Sequence, residues 1–231
     1  MNALTDEIVA RTLEMLHREA EVSDEAHRRA MMAAMEVPGA SMDQMVDDIL
    51  AEERADYAAV SRGFADNFLA VSPEYGRFLY MMARARKATR IVEFGTSMGV
   101  STIYLAAALR DNGGGTLIGS ELQPSKVSQA RANLDAAGLG DLVDVREGDA
   151  LETLKDVGGE VDLLLVDGAF ALYLPVLRLV EPWLRTGAVV LGENAFDPAY
   201  LDYVRDPANG YISQPLALDE GRGNEFTVRT A

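Results

Sequence analysis

The sequence predicts an α/β fold built on a mostly parallel sheet with helices on both faces. Three features predict it. From Arg90 onward, short and nearly all-apolar runs alternate with amphipathic helical segments, the pattern of strands buried on both faces. Glycine-bearing loops stand where such strands end. The tail breaks the alternation with a strand, a turn and a strand, so the last strand is expected to run antiparallel.

The first 66 residues read as a helical segment serving as a lid or dimer contact, and residues 67–231 as the sheet domain. One helix is expected to carry Leu4, Ile8, Met15 and Leu16 on one face. A second follows a break at Pro38-Gly39, with Ser41 as its N-cap and Met42, Met45, Val46, Ile49, Leu50, Tyr57 and Val60 along a stripe. Such stripes read first as core; a substrate pocket or a dimer contact is the alternative.

In the sheet domain, Arg90 to Gly95 reads as the first strand, Ser101 to Leu109 as a helix and Thr116 to Glu121 as the second strand. A helix with Val127, Ala130, Leu134 and Ala137 on one face closes at Gly138, and Val143 to Arg146 is the third strand. Val161 to Val166 is the fourth. Tyr173, Val176, Leu177, Val180 and Leu184 then share a helical face, with Pro175 tolerated in the first turn and Pro182 shortening or kinking the helix. Ala188 to Leu191 is the fifth strand. Tyr211 to Leu218 and Glu225 to Arg229 flank a turn at residues 219–224 and complete seven strands, the last antiparallel, in a Rossmann-like sheet.

Composition narrows the chemistry. The 231 residues include no cysteine, which excludes disulfides, thiolate metal sites and a catalytic thiol. A formal net charge of −16 repels phosphate backbones, so nucleic acid is not an expected partner. No apolar run approaches the roughly 20 residues that span a bilayer, and no membrane partner is expected. The N-terminus turns acidic and amphipathic at once, unlike a secretory signal, so the expected location is cytoplasmic.

Three loops carry the candidate site. In Glu93-Phe94-Gly95-Thr96-Ser97-Met98-Gly99-Val100-Ser101, Gly95 allows a tight turn and close backbone approach, and Gly99 precedes a helix whose first amides can bind an anion. Ser97 stands where a nicotinamide-binding G-x-G-x-x-G loop has its second glycine, which argues against a nicotinamide oxidoreductase. Glu121, 26 positions beyond Gly95, ends the second strand, where a carboxylate can accept from both hydroxyls of a ribose; Leu122 follows it. Asp149, in Gly148-Asp149-Ala150, reads both as an adenine-edge contact and as a helix N-cap.

With these loops in order, the sequence resembles the class I S-adenosylmethionine (SAM)-dependent O-methyltransferases, especially the catechol and caffeoyl-CoA group and its bacterial members. The resemblance runs from about Phe68 to Ala231, through Val71-Ser72-Pro73-Glu74-Tyr75-Gly76, Glu93-x-Gly95-Thr96-x-x-Gly99-x-Ser101 and Gly148-Asp149-Ala150-Leu151. It implies SAM as methyl donor and a small, phenol- or catechol-like acceptor. By the same match Val71, Glu93, Gly95, Thr96, Ser97, Gly99 and Ser101 surround the methionine part, with Ser101 helping hold its carboxylate. Glu121, Leu122, Asp149, Ala150 and Asp167 complete the cofactor set. The group commonly forms homodimers, which the Met-rich N-terminal helices would suit.

The resemblance also implies a Mg²⁺ site from Asp167, Glu193 and Asn194, with two departures. Glu193 stands where the group has an aspartate, and Phe170 where it has a lysine serving as general base; Tyr173 matches an aromatic of the group. A phenol must lose its proton. The metal could assist that loss, Glu193 could be the base alongside Asp167, or an acidic phenol or an amine could need no help. An N- or C-methyltransferase and a non-catalytic SAM- or nucleoside-binding module therefore stand as alternatives. His17 and His27 read as solvated helical residues that a lid could bring over the pocket. Phe196 reads as a candidate pocket wall, and Trp183 as core.

Overall fold

The computed structural model describes residues 2–37, 39, 41–218 and 223–231. A 3-10 turn over Ala3–Thr5 precedes α1 (Glu7–Ser23), α2 (Glu25–Met35), α3 (Met42–Gly63) and α4 (Pro73–Ala85). The alternating part runs β1 (Arg90–Phe94), α5 (Val100–Asp111), β2 (Thr116–Glu121), α6 (Pro124–Ala136), β3 (Val143–Glu147), the single turn α7 (Ala150–Thr153) and β4 (Val161–Val166). It continues through α8 (Tyr173–Val180), β5 (Leu184–Gly192), α9 (Pro198–Arg205), β6 (Tyr211–Pro215) and β7 (Glu225–Arg229).

The seven strands lie in the order β3-β2-β1-β4-β5-β7-β6. The five strands from β3 to β5 are parallel, and β7 runs antiparallel to both β5 and β6, as the tail's pattern predicts. Period-two alternation sends Ile91, Leu163, Leu165, Val189 and Leu191 into one core with α1, α4, α5 and α6. Val92, Phe94, Ile118, Leu164, Val166 and Val190 enter the other, with α8 and α9. Strand order reverses between β1 and β4, so their carboxyl ends open a crevice, the expected ligand site of an open α/β sheet.

Three details correct the expected boundaries. Leu184 begins β5, because the helix over Tyr173 ends at Val180 and Pro182 falls in a 3-10 turn, where its missing N–H does no harm. Strand β6 stops at Pro215 rather than Leu218, since a proline offers no donor for the ladder. On α1 the buried ridge is Val9, Leu13, Leu16 and Ala20, while Ile8 and Met15 are 58% and 45% exposed. Leu4 sits in the separate 3-10 turn and does not share the phase of α1. Ser41 caps α3 by accepting from Gln44 N at 3.1 Å, as expected. Pro38 of the expected break and residues 219–222 of the expected turn lie outside the described residues.

Candidate functional site

Two adjoining cavities fill the crevice, one of about 390 Å³ and one of about 80 Å³. Tyr57, Ser61, Gly95, Glu121, Gly168 and Ala169 line both, so the two are neighbouring compartments of one site.

The loop after β1 separates the sheet from the larger cavity. Gly95 and Gly99 take φ of +94° and +87°, and Ser97 takes +46°. Such backbone is open to glycine and strained for serine. Ser97 is held there by its own bonds: its N–H donates to Glu121 Oε2 at 2.8 Å and its hydroxyl to Phe68 O at 2.7 Å. Glu121 Oε1 accepts from Gln123 N at 2.8 Å. One carboxylate thus ties together the loops after β1 and β2 while lining both cavities. Leu122, Asp149 and Ala150 line the smaller one. Asp149 caps α7 by accepting from Leu151 N at 2.9 Å, as one of its two expected roles requires, and lines the smaller cavity.

Helix α3 forms the roof. Its apolar stripe does not enter the core as a whole: Met42, Met45, Val46, Ile49, Tyr57 and Val60 line the larger cavity, and Leu50 alone of the stripe is buried away from it. Polar side chains fasten the roof to four of the loops below it. Gln123 Nε2 donates to Ser61 Oγ at 2.9 Å, Tyr57 OH to Asp149 Oδ2 at 2.6 Å, and Ala171 N to Glu53 Oε2 at 2.9 Å. Arg54 lies 3.4 Å from Asp197. The anchored loops follow β2, β3, β4 and β5 in turn.

At the far wall, Asp167 and Asn194 line the larger cavity; Glu193 does not and is 2% exposed. The peptide of Glu193 is fixed by its N–H donating to Val166 O at 3.1 Å and its carbonyl accepting from Tyr173 OH at 2.5 Å. Of the three expected cation donors, Asp167 and Asn194 line the cavity and Glu193 is buried beside Asn194 in the chain. Among the described residues no group of three or more histidine, aspartate and glutamate side chains is placed to hold a metal. Phe170 packs edge-on to Tyr173 and Phe196, each at 5.8 Å between ring centroids, so an aromatic box occupies the place of the expected lysine.

Two expected cavity residues lie behind the wall. Gly99 opens α5 without lining either cavity. Glu93 is fully buried and accepts from Ser101 Oγ at 2.7 Å and Thr102 Oγ1 at 2.6 Å, so its role here is to hold the start of α5. Val71, Thr96 and Ser101 do line the larger cavity. Of the histidines, His27 lines it, edge-on to Phe64, while His17 bonds Tyr104 OH at 3.0 Å elsewhere. Trp183 packs against the core beside α8 and α9.

Burial pushes the Glu93 carboxyl up to about 7, against the hydroxyls of Thr102 and Ser101 that favour its anion; Glu121 adds to the rise. The folded chain thus holds this proton more tightly than the unfolded chain. The resulting stability is present below the ordinary carboxyl value and is lost as pH rises through about 7. Urea denaturation is expected to show about 2 kcal/mol less stability at pH 8 than at pH 5 from this group. Glu93→Gln should flatten that difference; an unchanged pH slope in the variant would assign it to other groups.

Residues 92–195 match a family described as a methyltransferase domain. The O-methyltransferase TomG from Streptomyces achromogenes, solved in complex with SAM, superimposes with a TM-score of 0.63 at 26% identity, over 79% of this chain and 90% of that one. A catechol O-methyltransferase from Niastella koreensis is 31% identical over 161 residues, 67% of this chain and 72% of the relative. The chain belongs to the class I SAM-dependent O-methyltransferases. A catechol O-methyltransferase from Mycobacterium tuberculosis is 37% identical over a shorter stretch, 54% of this chain and 57% of its own.

The family sets aside the nicotinamide, non-catalytic and N- or C-methylating alternatives. It also exposes what sequence reasoning passed over in this methyltransferase. Tyr57 was assigned to a stripe without its hydroxyl being used. Glu53, Ser61, Phe64 and Lys126 went unremarked, yet all line the larger cavity. The signal of Glu53, Ser61 and Lys126 is weak, since a polar side chain on a helix is ordinarily solvated, and Phe64 follows the end of α3, off its stripe.

Proposed function

We propose that this methyltransferase transfers the SAM methyl group to a hydroxyl of a small aromatic acceptor held under α3. The observation that carries the reading is the larger cavity itself. Phe64, Phe170, Phe196, Met42, Met45 and Ile49 line it, and it is continuous with the Gly95–Ser97 loop and Glu121. The names of the catechol O-methyltransferase relatives support an aromatic acceptor.

In this reading Glu121 accepts from the ribose hydroxyls, Asp149 meets the adenine edge, and Leu122 and Ala150 flank the ring. The methionine part lies against Val71, Thr96, Ser97 and Ser101. SAM supplies an electrophilic methyl on a sulfonium, and transfer is an in-line displacement. The protein's contribution is to align the acceptor oxygen and keep water out. The rings of Phe170 and Phe196 orient the acceptor plane. Asp167, the carboxylate on the cavity wall beside them, takes the acceptor's proton. Residues 1–66 act as the lid, and residues 67–231 form the SAM-binding domain. A homodimer, implied by the family resemblance, is tested by sedimentation equilibrium.

Asp167 and Asn194 line the larger cavity and Glu193 is buried next to Asn194 in the chain; these residues would hold a divalent cation if one binds, and the proposed transfer is written without a step at a metal. Calorimetric titration with S-adenosylhomocysteine after EDTA stripping tests both parts. The expected result is a dissociation constant in the micromolar range, unchanged within about twofold by added Mg²⁺. No binding would remove the cofactor site; binding that requires Mg²⁺ would assign Asp167, Glu193 and Asn194 as a cation site.

A further inference from the structure

Lys126 stands in the first turn of α6, five residues after Glu121 ends β2, and is only 5% exposed. Its ammonium carries three donors, yet among the described residues its one hydrogen bond is to Ser97 Oγ at 3.1 Å. Among the described residues no carboxylate lies within ion-pair distance of it. Burial draws its pKa below the ordinary lysine value, and the more distant Glu121, Asp24 and Asp167 carboxylates oppose that shift. A buried ammonium with one neutral partner is costly, and the cost is removed when an anion enters the space it faces. That space is the larger cavity, beside Ser97, Phe68 and Val71.

Asp24 does not serve as the missing anion. It is 5% exposed, and both oxygens are occupied: Oδ1 accepts from Phe68 N at 2.9 Å and Oδ2 from Leu69 N at 2.8 Å. It fixes the segment that carries Phe68 O, which in turn accepts from Ser97 Oγ. Asp24 therefore holds the frame around Lys126 and leaves the ammonium facing the cavity.

We propose that Lys126 is the counter-ion of the methionine carboxylate of SAM, bound through its free N–H groups beside Ser97. The inference rests on the SAM-site reading above and deepens it. Ser101, which the sequence marks for that carboxylate, donates its proton to Glu93 instead, so the helix start offers one hydroxyl donor fewer than expected. Lys126 supplies what is missing as a charge-assisted bond, stronger than a neutral one. It also makes the site select a ligand with an intact amino-acid tail over a bare thioadenosine.

The test compares S-adenosylhomocysteine with its decarboxylated analogue by calorimetry, on the wild type, Lys126→Met and Lys126→Arg. In the wild type, removing the ligand's carboxylate is expected to weaken binding about 30-fold, and Lys126→Met should weaken S-adenosylhomocysteine by a similar factor. The decarboxylated ligand should bind wild type and Lys126→Met alike, and Lys126→Arg should retain most of the discrimination. Methionine matches the lysine stem without its charge, and thermal melts establish that the variant is folded. Equal weakening of both ligands by Lys126→Met, or of neither, would overturn the proposal while leaving the SAM site in place. Failure of wild type to bind S-adenosylhomocysteine would instead remove the reading on which it rests.

Discussion

Gly95→Ala is expected to destabilise the fold by about 3 kcal/mol and to abolish measurable S-adenosylhomocysteine binding. Two effects add at this position. The backbone sits at φ +94°, where a β-carbon is disfavoured, and that β-carbon would stand 2.1 Å from Asp167 O and 2.8 Å from Gly168 N. Both are backbone atoms at the end of β4, and Asp167 N donates to Phe94 O at 2.9 Å, so neither strand end can yield without breaking the ladder between them. Gly113→Ala separates the two effects. Gly113 has φ +99° with nothing within 4 Å of its would-be β-carbon. Only the conformational part, about 1 kcal/mol, is expected there. Urea denaturation of both variants decides the matter. Similar losses at the two positions would mean that the close approach of the β1 and β4 ends is not what requires glycine.

Glu121→Ala is expected to weaken S-adenosylhomocysteine about 100-fold, and Glu121→Gln about tenfold. The carboxylate is 8% exposed and accepts from Ser97 N and Gln123 N, each at 2.8 Å. Its remaining lone pairs face the two cavities. Alanine removes the proposed ribose acceptor and leaves two loop amides without their partner, so the loop proposed to shape the methionine compartment loses its latch. Glutamine keeps one acceptor oxygen and turns an NH₂ toward one of those amides, an intermediate loss. Circular dichroism should show an intact fold in the glutamine variant, because neither amide belongs to a core strand. An affinity unchanged in both variants would show that the ribose lies elsewhere.

The sequence carried most of the frame and the loops that line the two cavities. Val92, Leu164 and Val190 lie in strands whose apolar content is high on both faces, and only a sheet covered by helices on each side buries such strands. The positions of Gly95 and Glu121 are equally local signals, since a turn needing positive φ and a carboxylate ending a strand are written in consecutive residues. The acceptor half was far less legible. Met45 and Ile49 have the spacing of a core helix, and whether such a stripe faces packed side chains or a cavity depends on how far α3 is held from the sheet. Tyr57, Ser61, Glu53 and Arg54 set that distance through partners 62 to 143 residues away, so no window of sequence could reveal it.

What the sequence by itself determined is the order of strands and helices, the antiparallel end and the loops that line the cavities at the ends of the strands. These follow from periodicity, glycine placement and short-range hydrogen bonding, all of which act within a few residues. Only the tertiary structure decided that Glu193 is buried while Asp167 and Asn194 line the cavity, and that Glu93 is bonded to the start of α5. It also brought the Lys126 ammonium to Ser97. The physical reason is common to all three: the direction of a polar side chain near a strand end is set by which distant donors and acceptors remain unsatisfied after the core has packed.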